Sequence, residues 1–456
     1  MEKFDHLVVL MLENRSFDNV FATLYPKSAA FDGLDGTESN PWHKPDGTVA
    51  SVPVWSDTGM PPEDALMPDP DPGELFHDMT MQIFGLDGDP RAPATMSGFV
   101  DNYMRQPPAD RPYDPRQVMH HFTAEQLPVM SQLAQAFGVS DRWFASAPCE
   151  TWPNRFFAHC GTSGGWVNNG REGFPHRYPR LLPTIFRRLG RHRKSWKIYF
   201  HDVPQAAALV ELWPSIPTRF RLFEDFLADC AAGTLPSYSF IEPRYYPDLS
   251  LQSPPNDMHP PHNVVPGEQL VADTYNALRQ GPRWERTLFV ITFDEHGGCY
   301  DHVPPPRAVP PGPPYSAGFS FDRYGVRVPT VVISPYVPAG SIIRPPAPRP
   351  GEPATPFDHT SLIATLQRRF GLGPPMTPRV ASAPDLAAAL SLERPDNPGP
   401  QQIEASRAER DDQRKLARQR FNHHQETLRH PAMRLPTLLA QGAGHAHLAA
   451  RRAGRR

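Results

Sequence analysis

Cysteine is scarce in this chain: Cys149, Cys160, Cys230 and Cys299 are the only four in 456 residues, and no two have CxxC spacing. That is too few for a disulfide framework, and it lacks the paired ligands of a structural zinc site. Long apolar runs are absent as well. No segment reaches the roughly 18 uninterrupted apolar residues that cross a bilayer, and mean hydropathy is -0.50, so no transmembrane segment is expected. Nor does one sign of charge prevail. Lys plus Arg number 46 against 49 Asp plus Glu, a net charge of -3, which offers no basic field for nucleic acid. Before the first apolar run, HLVVLMLEN from His6, there is no basic leader and no small-residue cleavage site. The expectation is a cytoplasmic chain, or an extracellular or periplasmic one if another route exports it.

Proline is abundant instead. Fifty-eight prolines, none able to donate a ladder hydrogen bond, put much of the chain into loops. Four short runs, Leu7 to Leu12, Trp196 to Phe200, Leu288 to Phe293 and Val328 to Ile333, are apolar with little alternation, the pattern of strands covered on both faces. Helical periodicity lies between them, over Glu125 to Phe137 and Gly267 to Arg279. Helices alternating with such strands predict an α/β protein, a three-layer α/β/α sandwich around a mostly parallel sheet. Residues 1–395 read as one catalytic domain, with a Pro-, Gly- and Asp-rich insertion at about 30–94 that forms a lid or rim. Residues 396–456 read as a basic, polar extension. From residue 400 onward there are twelve Lys plus Arg against five Asp plus Glu, which suits a solvated tail or peripheral contact with an anionic surface.

Chemistry concentrates after the strands, where open α/β sheets bind ligands. The first strand ends in Glu13-Asn14-Arg15-Ser16-Phe17-Asp18, a carboxylate and a carboxamide that can ligate a hard divalent cation; Ser16 or Asp18 can equally cap a helix. The 288–293 strand ends in Asp294-Glu295-His296-Gly297-Gly298, followed by Asp301-His302. The two glycines permit a turn that bends both acids toward one ion, and a cation relieves the repulsion between them; a solvated acidic turn is the alternative. In Cys149-Glu150-Thr151-Trp152-Pro153-Asn154-Arg155, Thr151 stands at the head of a helix, as an activatable hydroxyl or as an N-cap. Among nineteen histidines, His77, His201, His259, His262 and His359 are candidates for offsetting phosphoryl charge or protonating a leaving alkoxide.

Taken in order, ENRSFD, the Thr before PNR, DMHPP with GEQLV, TFDEHGGCYDHVPPP and FDHTSL resemble the bacterial phospholipase C and acid phosphatase family, with SGFVDNY, GTLPSYSFIEP and YGVRVPTVVISPY as further matches. The resemblance spans residues 4 to 372. It implies an alkaline-phosphatase-like core, a divalent metal ion held by Glu13, Asn14, Asp294, Glu295 and the nucleophile Thr151, and phosphate-contacting histidines at His77, His201 and His259. The implied substrate is a phosphate ester or phospholipid, cut as a phosphodiester in the manner of phospholipase C. The alternatives are an acid phosphatase acting on monoesters and a silent binder of phosphate or sugar. Two departures touch the site: Cys149-Glu150 replaces a Gly-rich approach to the nucleophile, and Met258 interrupts the acidic lead into His259. The aromatic residues Phe76, Phe84 and Trp213 are candidates for an apolar entrance.

Overall fold

In chain order the strands among the described residues are β1 (His6–Leu12), β2 (Ser39–His43), β3 (Val49–Pro53), β4 (Gly138–Ser140), β5 (Trp143–Phe144), β6 (Trp196–Phe200), β7 (Phe220–Leu222), β8 (Tyr238–Glu242), β9 (Thr287–Phe293), β10 (Thr330–Ile333), β11 (Ser341–Ile342) and β12 (Phe357–Asp358). The computed structural model describes residues 1–59, 65–109, 111–169, 182–315, 318–348, 354–406 and 422–428. Eight strands form the main sheet in the order β11-β4-β10-β9-β1-β8-β6-β7. All its pairings are parallel except those of β10, which runs antiparallel to both β9 and β4. β1 lies between β9 and β8, and every residue after His6 in it is buried, as its unbroken apolar sequence requires.

Two groups of helices supply the outer layers. Pro128–Ala136, Val265–Gln280 and Phe223–Ala232 pack in one series; Ile185–Arg191, Thr151–Cys160, Thr360–Phe370 and Pro378–Ser382 form the other. The result is the α/β/α sandwich that the alternating pattern predicts. Boundaries differ where local chemistry intervenes. The helix expected from Glu125 begins at Pro128, because Gln126 turns its side chain back to accept from the Thr123 amide at 2.8 Å and proline favours the first helical turn. The strand expected from Val328 starts at Thr330, after Pro329.

The stretch 30–94 carries the β2–β3 hairpin and the helix Phe76–Phe84. With the helix Phe99–Tyr103 it builds a separate apolar cluster that includes Val52, Val54, Ile83, Phe84 and Phe99. Phe84 is therefore a packing residue rather than part of an entrance; Trp213 donates to Ala207 O and packs on the main core. Of the C-terminal extension, 407–421 and 429–456, including the terminal RRAGRR, lie outside the described residues. No helix among the described residues is long and apolar enough to cross a membrane.

The sheet register sets up the site. Leu12 of β1 is level with Phe293 of β9, so Glu13 and Asp294 leave the sheet side by side at the carboxyl edge. Glu242, the last residue of β8, ends on the other side of β1.

Candidate active site

After β1 the chain turns at Asn14, whose φ is +56°, and its amide donates to Asp294 Oδ1 at 3.2 Å. Ser16 caps the short helix Phe17–Phe21; capping and the convergence of acids thus coexist in one hexapeptide. Gly297, at φ +61°, lies against Asn14, and a Cβ there would sit 2.1 Å from Asn14 O. Only glycine permits that approach.

Thr151 is the first residue of its helix, with Glu150 at the cap position. Its Oγ1 lies 3.4 Å from Glu13 Oε2 and 3.4 Å from Asn14 Oδ1. The approach to it is braced by side chains, since Asn154 bonds Ala147 and Cys149, and Asn169 accepts from the Trp152 amide. One helical turn on, Arg155 bonds Glu13 Oε1, donates to Asp294 Oδ2 at 3.1 Å and lies 3.8 Å from Glu242 Oε2. Gln205 also donates to Glu13 Oε1, at 2.6 Å. His359 is behind the turn, its Nε2 2.6 Å from Asp294 O.

Glu13, Asn14, Thr151, Asp294 and Glu295 are all buried. Burial pushes Glu13 well above the usual carboxylate range against the pull of Arg155, with Asp294 adding to the rise. Burial lifts Glu295 likewise, aided by repulsion from Glu74 and Asp294, and Glu295 Oε1 has no hydrogen-bond partner among the described residues. Clustered buried acids with an unmet oxygen are a donor set that fits a hard divalent cation.

The histidines divide. His259 is fully buried, its Nε2 2.9 Å from Asn14 Nδ2 and 3.4 Å from Glu74 Oε1, its Nδ1 3.7 Å from Asp71 Oδ1. Burial alone would depress its pKa, but the carboxylates of Glu74 and Asp71 outweigh burial and raise it well above the ordinary value. Asp71, Glu74 and His259 could also group around a metal. The His77 side chain is 75% exposed and lies 3.7 Å from Asp78. Glu74, three residues earlier, takes the inward place, donor Asn14 Nδ2 reaching its Oε1 at 2.8 Å. His201 stacks on Phe223 at 4.5 Å and lies 3.4 Å from Glu242 O; burial lowers its pKa to about 3, so the ring is neutral. His262 pairs with Asp257 at 2.7 Å.

A second acidic group, Asp18, Asp301 and His302, is already neutralised: Arg327 donates to Asp18 Oδ1 at 2.8 Å and to Asp301 Oδ1 at 2.9 Å. It braces the fold. Sequence reasoning missed Glu74, Asp71, Arg155, Gln205 and, from the far C-terminal segment, His424, whose Nε2 is 3.9 Å from Glu13 Oε2.

A family model described as the phosphoesterase family matches residues 4–373. The chain belongs to that family. This phosphoesterase is an enzyme acting on phosphoester bonds. It is 38% identical over 382 residues to non-specific phospholipase C1 of Arabidopsis thaliana, covering 80% of this chain and 67% of that relative. Non-specific phospholipase C3 of the same plant is 36% identical over 85% of this chain and 74% of its own length. Phospholipase C B of Mycobacterium tuberculosis (strain ATCC 25618 / H37Rv) is 28% identical over 86% of this chain and 79% of its own.

Proposed function

We propose that this phosphoesterase cleaves phosphodiesters of the phospholipid class in the manner of a phospholipase C, with Thr151 as nucleophile and a divalent cation held by Glu13, Asn14, Thr151, Asp294 and Glu295. The observation that carries this reading is the seat of the Thr151 hydroxyl, 3.4 Å from both Glu13 Oε2 and Asn14 Oδ1 at the head of a buried helix. The names of the relatives support the diester branch. A bound divalent cation supplies the Lewis acidity that lowers the pKa of a hydroxyl and offsets charge on phosphoryl oxygens.

Thr151 Oγ1 passes its proton to Glu13 Oε2, 3.4 Å away, and attacks phosphorus in line; the bond from phosphorus to the leaving alcohol breaks, leaving a phosphothreonine that water hydrolyses. Arg155 fixes Glu13 and Asp294 through the cycle. His259, held toward its imidazolium form by Glu74 and Asp71, offsets phosphoryl charge and donates the proton that the leaving alkoxide needs. His77 and His201 take no step here, because their contacts run to Asp78, Phe223 and Glu242.

Thr151→Ala is expected to abolish turnover while bound metal, measured by elemental analysis, stays at the parent level; near-normal turnover in that variant rules the role out. Comparing p-nitrophenyl phosphorylcholine with p-nitrophenyl phosphate separates the branches. Faster turnover of the choline diester is expected. Preference for the monoester would make the enzyme a phosphatase.

A further inference from the structure

Residues 422–428 lie far along the chain from every other group in the site, yet they form one of its walls. Asn422 and Gln425 cap each other's amides, at 2.8 and 3.0 Å, at the start of the short helix His423–Leu428. A turn this short has no stability of its own, so packing must hold it. Gln425 donates to Tyr245 O at 2.5 Å, Tyr246 donates to Gln425 O at 2.5 Å, and Leu428 is fully buried in the main apolar core.

The inward face of this turn is mostly polar. Asn422, His424 and Gln425 are all buried, while Glu426 faces out. Burying polar side chains is costly unless they find polar partners, and a strap that served only to pack would not carry them there. Two of these side chains, Asn422 and His424, reach the active centre. Asn422 Nδ2 lies 3.1 Å from His259 Nδ1. The His424 ring stacks on that of His259, with centroids 5.7 Å apart and planes 15° apart, and meets Tyr245 edge-on at 5.4 Å. Its Nε2 is 3.9 Å from Glu13 Oε2, the same oxygen that faces Thr151 Oγ1.

We propose that His424 is a further substrate-contacting residue, an N–H donor to a phosphoryl oxygen of the bound ester, and that the C-terminal segment is an integral wall of the phosphoryl site. The inference rests on the phosphoesterase centre proposed around Thr151. His259 and His424, stacked in parallel, present two imidazole edges to one anion, one from the loop after β8 and the other from the C-terminal segment.

The test uses the full chain with its native metal and titrates inorganic phosphate by calorimetry. His424→Phe keeps the ring and its stacking but removes the donor; it is expected to weaken phosphate binding and lower kcat/KM by about tenfold, the size of one lost hydrogen bond to an anion, with metal content unchanged. His424→Gln, which retains an N–H, should recover most of the loss. Phosphate affinity within about twofold of the parent in a folded His424→Phe variant overturns the proposal. If that variant does not fold, Tyr246→Phe, which removes the hydroxyl bond to Gln425 O, takes its place. Weaker phosphate binding at full metal content then supports the proposal, and parent-like binding overturns it. A parent that hydrolyses no ester sinks the reading of Thr151, whereas the phosphate titration still decides for or against His424.

Discussion

Arg155 stands where three neighbouring strands end in acids: Glu13 after β1, Glu242 at the end of β8 and Asp294 after β9. Its guanidinium is almost fully enclosed, and removing one member of such a buried network leaves the others uncompensated, at a cost of roughly 3–5 kcal/mol. Arg155→Met is accordingly expected to lose about that much stability by urea unfolding in the presence of chelator, and less when a divalent cation is supplied. A loss below about 1 kcal/mol would mean that the carboxylates do not need it. Arg155 was legible in principle, because i and i+4 share a helix face and Thr151 is four residues earlier. The inward turn of Glu74 was not. In DPDPGELFH no periodicity says which side chain turns inward, and the resemblance pointed to His77 alone.

At the scale of elements, the apolar runs marked the central strands and their acidic ends marked the site, since a strand buried on both faces leaves no other place for a charge. What those runs could not reveal was register. That Glu13 and Asp294 are neighbours follows from Leu12 lying level with Phe293, a tertiary fact. The antiparallel direction of β10 was equally hidden, because direction leaves no mark on a four-residue apolar strand. The turn after β1 is pinned by a separate network, in which His302 Nδ1 lies 2.6 Å from Asp18 Oδ2 and Nε2 3.1 Å from Asp32 Oδ1. Burial alone would depress His302, but bonds to the two aspartates reverse this and raise its pKa to about 10. A raised histidine stabilises the fold fully below its unfolded pKa of about 6.5, and the contribution is lost as pH rises through about 10. His302→Asn should therefore cost about 1–3 kcal/mol near pH 7 and flatten the decline in stability between pH 7 and 10. An unchanged slope in chemical denaturation would show that the pairing does not govern it.

The whole molecule gathers its centre from distant parts: strand ends, the 30–94 stretch through Asp71 and Glu74, and the segment at 422–428. The insertion and the extension read as accessories in the sequence because their composition carries no element signal, yet both bring polar groups inward. The gathered set is markedly acidic, and this makes a prediction about cation and proton together. Glu13 and Glu295 are raised well above 4.5 by burial and by repulsion from Asp294, with Glu74 adding at Glu295, so without a cation the folded state holds protons that the unfolded chain has already released. Stability of the cation-free protein should then fall as pH rises above about 4.5. A bound divalent cation needs both carboxylates ionised and removes that penalty, so its stabilising effect, RT ln(1 + [L]/Kd) at fixed concentration, grows with pH. Melting temperatures recorded from pH 5 to 8, in chelator and in excess divalent cation, are expected to diverge steadily toward the alkaline end. Parallel curves would mean that the cation displaces no protons, and that the acids at the ends of β1 and β9 are not its ligands.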